Sequence, residues 1–150
     1  MLLPAEIESK SLIPALRAIL AKDLAKKHSI REDEISKMLG VTQAAVSNYI
    51  RGIRGDPNLI EKLLQEKEVA TMINEISDNL ASDKAYTPSS LSKFIGLCNY
   101  IKSSLLICDI HHNLESDIDD EVCKECENML LKGPGSVYCC LLYTSPSPRD

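Results

Sequence analysis

The chain has 150 residues, a net charge of −5 and 44% hydrophobic residues, which suits one domain, or one domain with a small appendage, and leaves enough apolar content for a core. One Phe, no Trp and six Gly in a Leu/Ile/Ala-rich chain point to an all-α protein. No run of 18 apolar residues occurs and MLLPAEIESK lacks a charged-then-apolar leader, so neither a membrane span nor a secretory signal is expected.

The expected location is therefore the cytoplasm, where six cysteines read as metal ligands or free thiols rather than disulfides. Residues 1–12 form a short leading segment, loosened at Ser9–Ser11. Pro14 fits the first turn of a helix, where its missing N–H is harmless. That helix extends to about His28, with Leu16, Ile19, Leu20 and Leu24 on one side and Arg17, Lys22, Lys26 and Lys27 on the other. The basic side is either a phosphate contact or a solvated face. Ser29 begins the next turn, and Glu32, Asp33 and Glu34 place negative charge at a helix start, where the dipole favours it.

Ile30–Gly55, IREDEISKMLGVTQAAVSNYIRGIRG, has the spacing of a helix-turn-helix. Ile35 and Leu39 share one face of a first helix, and Val46, Tyr49 and Ile50 share one face of a second. Gly40 sits at the hinge, where a residue without a Cβ is tolerated. Val41 fills the corner, Thr42 is a suitable N-cap, and Ser36 is small where the helices would cross. The outer face of the second helix then carries Thr42, Gln43, Ala44, Ser47, Asn48 and Arg51. Gln and Asn can bond adenine bidentately, Arg can bond guanine or phosphate, and the methyls of Thr42 and Ala44 suit thymine. Arg51 and Arg54, between Gly52 and Gly55, could clamp a phosphate. The plainer alternative is a helical hairpin with a polar face.

Asp56-Pro57 starts another helix, and a helical apolar stripe from Leu59 to Leu80 predicts one long element over 58–81. Its later half reads as a dimerisation element or strut, with plain intramolecular core as the alternative. SDKAYTPSS, residues 82–90, is a linker by composition. A helix over 91–107 is expected to bury Leu91, Phe94, Ile95, Cys98, Ile101, Leu105 and Leu106 on one stripe.

Cys108 and His111 make a C-x2-H pair, and Cys123 and Cys126 a C-x2-C pair, with an acidic loop between. Two such knuckles suit a closed tetrahedral zinc site. His112 is a rival ligand, and Cys98 reads as buried packing. The alternatives are scattered thiols, a redox dithiol at Cys123/Cys126, or an iron–sulfur cluster in which Cys98 or another thiol replaces His111. From Gly133 the chain has no period, and CLLYTSPSPRD closely resembles translated sequencing-adapter sequence. Cys139–Asp150 are therefore set aside, and the tail over 133–150 is expected to be disordered.

Charge is uneven along the chain. Residues 1–62 carry a net +2 and residues 63–132 a net −7, so the helix-turn-helix lies in the basic part. No nucleophile–base pair or glycine-rich phosphate loop is visible, which argues against an enzyme.

The segment with Leu3-Pro4, Glu6, Ile13-Pro14-Ala15, Arg17-Ala18, Leu39 to Ser47, Tyr49 and Arg54-Gly55 resembles archaeal transcriptional regulators of the Cro/CI, xenobiotic-response helix-turn-helix type. The likeness covers about the first 60 residues. It implies a lambda-repressor-like bundle, sequence-specific double-stranded DNA binding and control of transcription. Family members carry a following segment with CxxH and CxxC pairs, similar to Cys98–Cys126. One departure falls at Ile101, where relatives have a second cysteine. Related chains carry a thiamine-phosphate-binding domain, and nothing here shows it.

The expected organisation is a DNA-binding domain over 1–57, a connecting helix over 58–82 and a Cys/His-rich segment over 90–132. The expected function is a homodimeric DNA-binding regulator. The alternatives are a metal- or redox-responsive sensor whose Cys/His site gates DNA binding, and a protein-interaction adaptor.

Overall fold

Pro14 cannot bond the carbonyl four residues back, and its ring crowds that carbonyl. The computed structural model, which describes residues 1–132, shows how the chain accommodates it. Helix α1 (Pro4–Ile7) passes through a π-helical turn (Glu8–Leu12) into α2 (Ile13–Lys26). The Ile13 N–H bonds the Glu8 carbonyl, five residues back, so the turn widens just where the proline ring needs room. The leading segment is thus helical from Pro4, contrary to the loose segment expected there. Glu6 helps at its start, since its carboxylate accepts the Leu3 N–H at 3.0 Å.

The described residues form α-helices and no strand. After α2 come α3 (Glu32–Leu39), α4 (Gln43–Ile50), α5 (Pro57–Gln65), α6 (Lys67–Asp83), α7 (Pro88–Ser103), α8 (Leu106–Leu114) and α9 (Asp120–Lys132). No described helix is long and apolar enough to cross a membrane. The expectations for the tail over 133–150 lie outside the described residues.

The chain divides into two compact units, one of Leu3–Leu97 and one of Met1–Leu2 with the residues from Cys98 onward. In the first, α2 is the centre and packs against α3, α4, α5 and α6. Seven of its residues are buried, namely Ala15, Leu16, Ala18, Ile19, Leu20, Ala21 and Leu24. Sequence periodicity suggests a half-apolar helix. A helix covered on several sides instead needs apolar groups almost all round, and the three alanines supply close approach. Little of the expected basic side remains free. Lys27 pairs with Asp23 at 3.6 Å and donates to Asn74 at 3.2 Å, and Arg17 and Lys22 are half-buried.

The connecting helix expected over 58–82 is two helices. The chain breaks at Glu66, whose ψ of 113° is extended. Leu59 and Leu63 on α5, and Val69, Ile73, Ile76 and Leu80 on α6, are buried within this unit, where α5 packs on α6 and both pack on α2. This stripe is intramolecular core, the alternative set beside the strut. The break lets both helices reach α2, which one straight helix could not do. The boundaries expected at 57 and 82 are likewise internal to the unit.

Two buried side-chain atoms on α6 lack a partner among the described residues, Ser77 Oγ and Asn79 Oδ1. Ser77 is 1% exposed and its hydroxyl has no hydrogen bond among the described residues. Removing an unsatisfied buried hydroxyl relieves its desolvation, so Ser77→Ala is expected to be neutral or stabilising by about 1 kcal/mol in urea denaturation.

The expected linker shrinks to a turn. Lys84 closes α6 in the left-handed conformation, and Thr87 opens α7, its N–H bonded to Ser90 Oγ at 2.9 Å. On α7 the buried apolar positions are Leu97, Cys98 and Ile101, whereas Leu91 and Ile95 are exposed, so the stripe expected there is only partly buried. The helix also ends sooner, because Leu105 takes a left-handed φ of 65° that starts α8.

Candidate nucleic-acid interface

The corner between α3 and α4 is built from short local rules. Ile35 and Met38 bury the inner face of α3, with Leu39 half-buried beside them. Gly40 takes φ 67° and ψ 34°, and the Val41 N–H returns to the Ser36 carbonyl at 3.0 Å. A Cβ at Gly40 would meet nothing within 4 Å, so the glycine is needed for its backbone angle and not for space. Thr42 caps α4 as expected, its Oγ1 accepting the Ala45 N–H at 3.1 Å. Behind α4, Ala45, Val46 and Tyr49 are buried, so the helix is held by its inner side.

Outward, Thr42, Gln43, Ala44, Arg51 and Arg54 are exposed, and Ser47 and Asn48 are half-buried. No carboxylate lies on α4. The two arginines are positioned rather than loose. Arg51 donates to Asn48 Oδ1 at 3.2 Å, which leaves the Asn48 amide N–H groups to face outward chemistry. Arg54 lies 6.0 Å from the centre of the Tyr49 ring, within reach of a cation–π attraction. Its N–H and that of Ile53 both bond the Asn48 carbonyl, at 3.1 and 2.8 Å. Gly55, at φ 87°, brings this turn against α2, where an added Cβ would stand 2.9 Å from Ala18 Cβ. The turn carrying Arg54 is therefore pinned to the central helix. None of the seven residues predicted as the DNA-facing set is fully buried.

The second unit contains the cysteines. Cys108 and His111 lie on α8, and Cys123 and Cys126 on α9, so both expected knuckles are turns of helix. Burial pushes the Cys108 thiol up to about 11, reinforced by Cys126, Glu127, Cys123 and Asp109. Burial also raises Cys126, with Cys123 and Glu127 adding to it, and Cys123 is raised by burial and by Glu127, Asp120 and Asp119. Three thiols thus share one acidic neighbourhood.

His111 does not complete the set. It is 7% exposed and its Nε2 lies 2.8 Å from Glu115 Oε1, which also accepts the Leu2 N–H at 3.3 Å. This bond holds the Glu115 carboxyl below its usual range. His112 instead lies 3.3 Å from Cys123 Sγ. Among the described residues no three His, Cys, Asp or Glu side chains are placed to hold a metal ion. The predicted ligands Cys108, His111, Cys123 and Cys126 thus all lie in the second unit, with His111 bonded to Glu115. Glu115 was missed in the sequence, although its place four residues after His111 on a helix was a usable signal.

A raised thiol pKa keeps Cys108 protonated at neutral pH. In metal-free protein its alkylation by iodoacetamide is expected to be slow at pH 8 and to accelerate only as pH nears 11, followed by mass spectrometry. The folded state binds this proton more tightly than the unfolded one, so the contribution to stability is present below the unfolded thiol pKa and is lost as pH rises through about 11.

No family model, curated protein or solved structure matches the chain.

Proposed function

We propose that the chain is a sequence-specific, double-stranded DNA-binding regulator of transcription, acting in the cytoplasm without enzymatic activity. Its helices α2–α6 would serve as a lambda-repressor-like bundle that lays α4 in the major groove. The observation that carries this reading is the outer face of α4. It presents the side chains of Thr42, Gln43, Ala44, Ser47 and Asn48 without a carboxylate, on a helix anchored from behind by Val46 and Tyr49. Base edges are read by such short donors, acceptors and methyls. Arg51 and Arg54 flank this face as phosphate contacts. The resemblance of the first 60 or so residues to Cro/CI-type regulators supports the same function. The reading includes a homodimer on a pseudo-palindrome, with its two recognition helices one helical turn apart.

Selection from a random duplex pool tests the reading. Enrichment of one two-fold-related sequence is expected, with log K falling against log salt by about 0.9 per phosphate neutralised. A pool that stays random, or binding without a salt slope, would favour the protein-interaction adaptor.

A second reading is favoured by the shared environment of Cys108, Cys123 and Cys126. Cys126 and Cys123 add to the upward push on the Cys108 thiol, and such crowding is relieved when a thiophilic dication replaces the protons. We propose on this basis that the second unit senses a metal such as zinc through Cys108, His111, Cys123 and Cys126, whose side chains would rearrange to take it up. Elemental analysis and DNA affinity with and without a chelator test it. Metal-free protein as isolated, or an affinity unchanged by chelation, would remove the sensor role.

A further inference from the structure

Within the first unit, α2, α3, α6 and the start of α7 line a half-open cleft of about 220 Å³, with Tyr86 and Leu91 exposed at its rim. Its walls are Met38, Leu39, Ile76, Leu80 and Phe94, with Arg17 among them and Tyr86 and Ser90 toward α7. The Ser90 hydroxyl is occupied, since it accepts the Thr87 N–H and donates to the Thr87 carbonyl, both at 2.9 Å. Arg17 is half-buried and has no hydrogen-bond or ion-pair partner among the described residues, and no Asp or Glu lines the cavity.

Arg17 is the one charged side chain on an otherwise mostly apolar lining. Its guanidinium offers five donors in a planar fork that matches a carboxylate bidentately. We propose that this cavity binds a small apolar monocarboxylate, with Arg17 taking the carboxylate and the α3, α6 and α7 side chains covering the hydrocarbon body.

Each part of the cavity selects for this class. Inorganic phosphate would satisfy Arg17 and leave the apolar walls unfilled. A neutral hydrocarbon would fill the walls and leave the fork unpaired. The volume is below the roughly 300–1,000 Å³ of pockets for drug-sized ligands, so the occupant is a single ring or a short chain. Met38 and Leu39 are in the last turn of α3, just before Gly40, so an occupant would touch the helix that sets the hinge ahead of α4. The proposal itself goes beyond the DNA-binding reading, because binding is measured with no DNA present.

The test is a titration of the full chain, with methyl-labelled Ile, Leu and Met, by phenylacetate, phenylacetamide and inorganic phosphate. Saturable shifts are expected at Met38, Ile76 and Leu80 with phenylacetate, half-complete at about 1 mM or below. Phenylacetamide should bind about tenfold more weakly, and phosphate should leave these methyls unmoved. Arg17→Gln should reduce phenylacetate to the amide's level, and its melting temperature reports whether it folds. If it does not fold, the acid-against-amide comparison on the parent chain decides. Absence of saturable shifts, equal binding of acid and amide, or undiminished binding by a folded Arg17→Gln would overturn the assignment.

Discussion

Tyr49→Ala is expected to remove about 3–5 kcal/mol of stability, the largest single loss among the side chains of the helix-turn-helix. Tyr49 is 2% exposed and sits behind α4 beside Ala45 and Val46, so truncation leaves a cavity that α4 cannot close without shifting against α2. Against a total of some 5–15 kcal/mol for a domain, that is enough to unfold much of the population at 37 °C. Tyr49→Phe keeps the ring volume and the attraction for Arg54, and is expected to lose far less. Urea denaturation of the two variants separates the cases. A Tyr49→Ala loss below about 1 kcal/mol would show that α4 is not anchored through this ring.

The second large effect concerns discrimination, not stability. Gln43 is exposed at the first position of α4 and its side chain has no hydrogen bond among the described residues, so in the proposed reading its amide can meet a base edge. Gln43→Ala is expected to lower discrimination between the selected duplex and a scrambled one by about 1–3 kcal/mol per half-site, which is felt twice in a dimer. Stability should change by no more than about 0.5 kcal/mol, because an exposed helical Gln is replaced by a better helix former. Competition shift assays measure the first quantity and thermal melts the second. Equal selectivity of variant and parent would show that α4 does not read bases through this residue.

These expectations rest on a region where sequence and structure agree for local reasons. The Gly40 angle, the Thr42 cap and the inward placement of Val46 and Tyr49 each depend on residues within a few positions of one another. Nearest-neighbour chemistry of that kind is written in the sequence. Leu39 shows the limit. Helical spacing puts it on the inner face with Ile35, but the shape of α2 and α6 gives full burial to Met38 and leaves Leu39 at the edge of a cavity.

The cysteine region was less legible. Residue types and spacing identified the thiols, and the structure does bring Cys108, Cys123 and Cys126 into one electrostatic neighbourhood. C-x2-H and C-x2-C are also ordinary i, i+3 spacings on a helix, and here both pairs are helical. Which way His111 points was settled by Glu115, a carboxylate that spacing rules for metal knuckles do not weigh.

By itself the sequence determined the all-α class, the glycine hinge and threonine cap between α3 and α4, and the residues exposed on α4, because each depends on backbone preferences and helical periodicity acting over short distances. Tertiary structure alone decided the break at Glu66, the near-complete burial of α2, the partner of His111 and the cavity beside Arg17. Those depend on which helices compete for the same surface of α2 and on which groups distant in sequence are left facing one another.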